Sequence, residues 1–291
     1  MNGLVALPLA ISIVAALVAA PRLAKLHPAG AARSSTIVLL AVTIPALPTL
    51  WLLGFGGLAR IGVRLPALDW CRHLLPQDRF VGIAVGIAAL LWAIASTVRC
   101  AQILAMHRRL RVTGQCRYEL IDTDDVFAYT LPGPAGAIAV SRGLRDQLDD
   151  DEFNLVLAHE EAHVAHRHDR LLLVALLARA VVPPIATVAR WLEHHIERWA
   201  DEDALAHTGA PREVAARTIA KVALAAPAPR RIPALGFAGP GVVARTAALL
   251  APPTVPSLLT RVSGGLALTV VLTVATIQVH RTAVHIAGLL G

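Results

Sequence analysis

The fold turns on residues 171–192, LLLVALLARAVVPPIATVARWL, a run apolar enough to pass for a membrane span. Hydropathy alone would send it across the bilayer once, since about 20 apolar residues suffice. Two features argue for a return instead. Arg179 stands near the middle, where a lone charge in hydrocarbon is costly. Pro183 and Pro184 follow, and adjacent prolines break a helix by removing amide donors and crowding the preceding turn. The run therefore reads as two short helices, each too short to span alone, folded back as an interfacial or re-entrant hairpin.

The flanks give the reason for a return. Before the run stands AHEEAHVAHRHDR, residues 158–170, and after it HHIERWADEDA, residues 194–204. The first contains His159-Glu160-Glu161-Ala162-His163, an H-E-x-x-H pattern. On a helix, positions i and i+4 share one face, so both imidazoles can reach one zinc ion while Glu160 faces a metal-bound water. The second block carries Glu197 and, one turn on, Asp201. A third protein ligand completes a catalytic zinc shell with one position left for water, and Asp201 is spaced to accept an N–H from a ligating histidine. A single crossing at 171–192 would put Glu197 on the opposite membrane face from His159 and His163. One ion could not then bind all three.

The rest of the chain suits a membrane protein. It is 56% hydrophobic and 16% charged over 291 residues, with mean hydropathy +0.60. Apolar runs at about 2–20, 36–58, 80–98 and 264–283 are long enough for four transmembrane helices. The first has no basic residue ahead of it and is followed by Arg22 and Lys25, so it reads as a retained span rather than a signal peptide, with its N-terminus outside. Basic residues cluster in 21–35 and 99–117 and are fewer in 59–79, which orients the central region to the cytoplasm. The net charge of +7 comes mostly from arginines beside apolar runs, not from one basic stripe, so direct nucleic-acid binding is not expected. Cys71, Cys100 and Cys116 have no metal-type spacing.

Between the third and fourth spans, YELIDTDDVFAYTLPGPAGAIAVSRGL predicts short strands around a turn at 131–136. Asp149 with Glu152 makes an acidic capping box that opens a helix over about 150–168. Phe153, Val156 and Leu157 form its core stripe, and Pro211 opens a further helix. APAPRRIP and APPTVP read as irregular connections. The domains predicted are a three-span region (1–105), a metallopeptidase domain with its hairpin (106–263) and a closing span (264–291).

With these motifs in place the chain resembles the BlaR/MecR-type family of integral-membrane zinc metallopeptidases. LAHEEAHVAHRHDR, ERWADEDA, three spans before them and one after carry the likeness, together with GAIAVSRGLRDQLDDDEFNLVLAHE leading into the motif helix. The resemblance implies a mainly α membrane protein with a small α+β zincin-like (gluzincin) domain. It implies one zinc per chain held by His159, His163 and Glu197, Glu160 as catalytic base and Asp201 behind the ligands. It also implies a protein or peptide substrate, such as a cytoplasmic repressor or the protease itself, cleaved at the cell membrane. The chain ends at Gly291 where the family's β-lactam sensors continue into a penicillin-binding domain, so direct antibiotic sensing is not expected. An HtpX-like quality-control protease shares the zinc motif and is the alternative within the class. A zinc-containing scaffold without hydrolysis is the alternative outside it.

The remaining polar residues carry smaller expectations. His166 lies too far along a straight helix to share an ion with His159, which gives it a surface or substrate-side role. His168, His194 and His195 read as solvated, one of the 194–195 pair being a candidate oxyanion donor. Asp169 and Arg170 cap or pair locally. The strand at 137–141 is the expected docking edge for an extended substrate.

Overall fold

A computed structural model describes residues 7–60, 82–111, 118–133, 137–226, 235–236, 241–251 and 256–287. Most of 59–79, the turn at 134–136 and most of the two proline-rich connections lie outside the described residues. Three helices are long and apolar enough to cross a membrane: α2 (Pro28–Arg60), α3 (Ile83–Arg109) and α10 (Leu258–Ala287). The run expected to be the first span begins outside the described residues, and its described part, α1 (Leu7–Leu23), is apolar but only 17 residues long. The described residues thus give three span-length helices, not four.

α2 and α3 meet through glycine. A Cβ placed on Gly57 would lie 2.5 Å from the Gly86 Cα, and one on Gly86 would lie 2.4 Å from the Gly57 Cα. The two backbones therefore touch, as small residues allow between apolar helices. Alanine at Gly57 or Gly86 should force the helices apart and cost about 1–3 kcal/mol by overpacking. Thermal unfolding in detergent should show a lower midpoint for each variant; an unchanged midpoint would contradict this contact.

The greasy run returns on itself. After α3 come β1 (Glu119–Ile121), β2 (Ala128–Leu131), β3 (Ala137–Ser141), α4 (Arg142–Gln147) and α5 (Asp150–Ala165). Residues 171–192 then divide between α6 (His168–Val181), a 3-10 turn (Pro183–Ile185) and α7 (Ala186–Thr208), with α6 packed against α7. The prolines start the turn, and Arg179 forms a close ion pair with Glu193 across the hairpin. That pairing accounts for a charge inside the apolar run. At the mouth, the His107 side chain of α3 lies 3.9 Å from Asp169. At the tip, Trp92 Nε1 donates to the Val181 carbonyl (3.0 Å) and Ser96 Oγ to the Ala180 carbonyl (3.1 Å). Backbone carbonyls freed at a break in a membrane need such partners. Trp92 lies about two helical turns, or about 10 Å, from the first basic residue at the end of α3, Arg99. The tip thus reaches beside the apolar part of a span-length helix. One expectation needs adjusting: α7 is not short but runs 23 residues, its second half polar.

The sheet has the order β1-β3-β2-β4, where β4 is Leu235–Gly236, with β1 parallel to β3 and the other pairs antiparallel. β3 is buried along nearly its whole length and flanked on both sides. Among the described residues, Ala139 and Val140 are therefore paired on both sides and offer no free edge for a substrate, contrary to the expectation for 137–141. The remaining elements are α8 (Arg212–Ala225) and α9 (Val242–Leu250). Two apolar cores result. One joins α1, α2, α6, α7 and α10; the other joins the sheet, α5, α8, α9 and the end of α7. α7 belongs to both, contributing Ile196 and Trp199 to the first and Ala204 and Leu205 to the second.

Candidate metal centre

α5 starts where its sequence says it should. Asp149 accepts from the Glu152 amide (2.8 Å), and the Glu152 carboxylate accepts from the Asp149 amide, closing the capping box. Phe153, Val156 and Leu157 are buried in the second core, as the stripe predicts. The helix ends three residues before the expected 168, because Arg167 adopts a left-handed conformation (φ 53°). That turn folds His168 back onto His163.

α5 and α7 bring His159, His163 and Glu197 together, all buried, with one ligand atom from each within 4.8 Å of the others. The two Nε2 atoms are 3.1 Å apart, and each lies 3.7 Å from a Glu197 oxygen. Both Nδ1 atoms are engaged elsewhere. His159 Nδ1 lies 3.0 Å from Asp201 Oδ1, and His163 Nδ1 lies 2.7 Å from His168 Nδ1. These contacts leave Nε2 as the atom of each ring that faces Glu197, and a neutral ring protonated at Nδ1 would present its Nε2 lone pair there. Two imidazoles and a carboxylate are a donor set suited to zinc. The hairpin is what makes the set possible.

Glu160 stands beside this group, fully buried. Thr130 of β2 donates to its Oε2 (2.7 Å) and to its backbone carbonyl (3.2 Å), while Oε1 has no hydrogen-bond partner among the described residues. One oxygen is held and the other is available. Burial pushes the Glu160 carboxyl up to about 7, opposed by the charge of His159 and the bond from Thr130. Burial drives His159 down, but hydrogen bonds to Asp201 and Glu197 prevail and raise it to about 9. Burial takes His163 well below its ordinary value. Glu197 and Asp201 are buried, which would raise them, yet both are lowered, chiefly by the neighbouring Arg245.

Arg245, on α9, was not anticipated. Its fully buried side chain donates to Glu197 Oε2 (2.8 Å) and to both oxygens of Asp201 (2.6 and 2.9 Å). The available signal was a lone arginine inside the apolar run GVVARTAALL, because a buried arginine requires anions. Thr130 and His168 were also missed as partners of the site.

The other histidines correct the expectation of solvation. His168 is buried, lowered to about 3 by that burial, and packs edge-on to Trp199. His195 is buried and stacked on Trp191, and burial lowers it to about 3 as well. His194 is half-buried. His166 is half-buried too, forms a close pair with Asp203 and stacks on Trp199, so it braces α5 against α7 instead of facing outward.

Residues 98–190 match the model of peptidase family M48. The chain is 37% identical over 70 residues to Protease HtpX of Legionella pneumophila (strain Corby), covering 24% of this chain and 25% of that protein. It is 36% identical over 70 residues to a Protease HtpX homolog of Desulforapulum autotrophicum, covering 24% and 23%. These matches support a metallopeptidase. The chain spans about a quarter of the length of these relatives. No solved structure matches it. The family match stops at residue 190, so Glu197, Asp201 and Arg245 lie beyond it and stand on the geometry above. The matches, with the apolar helices, support the broader grouping of a membrane M48 zinc metallopeptidase. The BlaR/MecR-type grouping rests on the motifs alone.

Proposed function

We propose that this chain is a membrane-embedded zinc metalloendopeptidase. His159, His163 and Glu197 hold the ion, Glu160 is the general base, and Asp201 fixes the ring of His159. The observation that carries the reading is the buried His-His-Glu set beside a carboxylate with one oxygen that has no hydrogen-bond partner among the described residues. When bound, zinc supplies a Lewis acid for the scissile carbonyl and acidifies its water toward a pKa of about 7. Glu160 accepts the water proton and hands it to the leaving amine, with Thr130 fixing the carboxylate plane. A closed structural site would have no use for such a base, which argues against a scaffold without hydrolysis.

The substrate reading is regulated cleavage of a cytoplasmic protein, such as a transcriptional repressor, with the catalytic domain on the cytoplasmic side of the cell membrane. Quality-control proteolysis of membrane proteins is the second reading, favoured by the HtpX relatives. Purified protein should cleave an unfolded polypeptide, lose that activity to a chelator, and regain it with zinc. Activity indifferent to chelation would overturn the proposal. Substrate trapping in cells separates the two substrate readings: one dominant partner supports regulated cleavage, and many damaged membrane proteins support quality control.

A pH dependence follows. A ligating histidine must be neutral, and His159 in the metal-free site keeps its proton up to about 9. Zinc therefore competes with a proton below that value, and apparent affinity should fall about tenfold for each pH unit lowered. Cleavage should accordingly fail at acid pH. Zinc titrations from pH 6.5 to 8.5 check this; a flat affinity would contradict it.

A further inference from the structure

We propose that Arg245 is a positioning residue of the metal centre, because one guanidinium holds Glu197 and Asp201 together and so fixes both the third metal donor and, through Asp201, the ring of His159. The proposal rests on the metal centre proposed above. Glu197 and Asp201 are one turn apart on α7, two like charges on one face of a helix. Nothing intrinsic to that helix would hold them both inward. Arg245 does so from another element: Nη1 reaches Glu197, while Nε and Nη2 form a fork on Asp201. Only a planar guanidinium can make this arrangement; an ammonium is a point charge without the fork. The Asp201 oxygen that takes the 2.6 Å bond also lies 3.0 Å from His159 Nδ1, so the linkage runs unbroken from α9 to the first histidine.

Two physical effects oppose one another. As a cation beside the site, Arg245 repels a dication. As a clamp, it prepays the ordering of the donors and relieves two buried carboxylates of being unpaired. The clamp still leaves the site open to a cation: the one guanidinium is shared between two carboxylates, Glu197 and Asp201, and so neutralises only one of them. The clamp dominates, as is usual for residues that orient metal ligands, whose loss costs 10–100-fold in affinity.

α9 offers an internal control. Its far end is tied down by Arg212, which donates to the Leu249 carbonyl (2.9 Å) and grips Glu202 of α7 with two bonds of 2.8 Å. Arg212 anchors the same helix, and none of its hydrogen bonds goes to His159, His163, Glu197 or Asp201.

The test is the zinc affinity of the full-length, detergent-solubilised protein, measured by competition with a chromophoric chelator. Arg245→Met should weaken zinc by about 10–100-fold and alter the absorption spectrum of bound cobalt, with Arg245→Lys recovering part of the loss. Arg212→Met should lower the unfolding temperature yet leave zinc affinity within about threefold. Unchanged or tighter binding by Arg245→Met overturns the proposal, since charge repulsion alone would give that. So does an equal loss in Arg212→Met, which would make the packing of α9 the cause. If Arg245→Met does not fold, Arg245→Lys decides, with about tenfold weaker zinc expected and wild-type affinity overturning the proposal. Wild-type protein that binds zinc beside unaffected Arg245 variants removes only this inference. Wild-type protein that binds none removes the metal centre and the inference with it.

Discussion

Glu160→Gln protein should bind zinc like the wild type and cleave peptide bonds about 100- to 10,000-fold more slowly. That range is what a positioned general base contributes. The substitution keeps the shape of the side chain and its capacity to accept from Thr130, so the buried site stays filled. It removes the proton acceptor. Glu160 is not among the three clustered donors, so metal content should not change. Single-turnover cleavage with parallel metal analysis separates the two effects. Cleavage at the wild-type rate with zinc bound would remove Glu160 as the base, and lost zinc would mean that it is a ligand.

Glu197→Gln should lose zinc, with affinity falling by more than the 10–100-fold typical of outer-shell partners. Glutamine has no charge to offer the ion, and the two histidines alone leave the site short of the usual three ligands. Activity should fall with occupancy and recover partly at high zinc. His207→Gln, on the same helix but exposed, should change neither quantity. Wild-type zinc affinity in the Glu197 variant would separate α7 from the metal centre and leave the two histidines as a pair.

Much of this arrangement was legible in the sequence because its signals are local. The capping box at Asp149 and Glu152 fixes the start of the motif helix, and i, i+4 spacing puts His159 and His163 on one face. Pro183 and Pro184 mark the turn of the hairpin, and a shared site at its two ends requires the return. What remained hidden depends on contacts distant in sequence. Arg245 reaches Asp201 across 44 positions, and Thr130 meets Glu160 across 30. No periodicity encodes such pairings. The interior place of β3 was hidden too, since β2 pairs with it on one side while β1, not its neighbour in sequence, pairs parallel with it on the other. His168 and His195 read as solvated because histidine is polar. Burial against Trp199 and Trp191 is a property of packing, not of composition.

The account depends on residues 171–192 turning back, which brings Glu197 to the histidines. The most direct test is to label single cysteines placed at two exposed positions that bracket the run, Arg170→Cys and His207→Cys, in a background with Cys71, Cys100 and Cys116 replaced. A membrane-impermeant thiol reagent applied to sealed, oriented vesicles should modify both positions from the same face. Labelling from opposite faces would mean a single crossing, and no metal ion could then join His159 and His163 to Glu197.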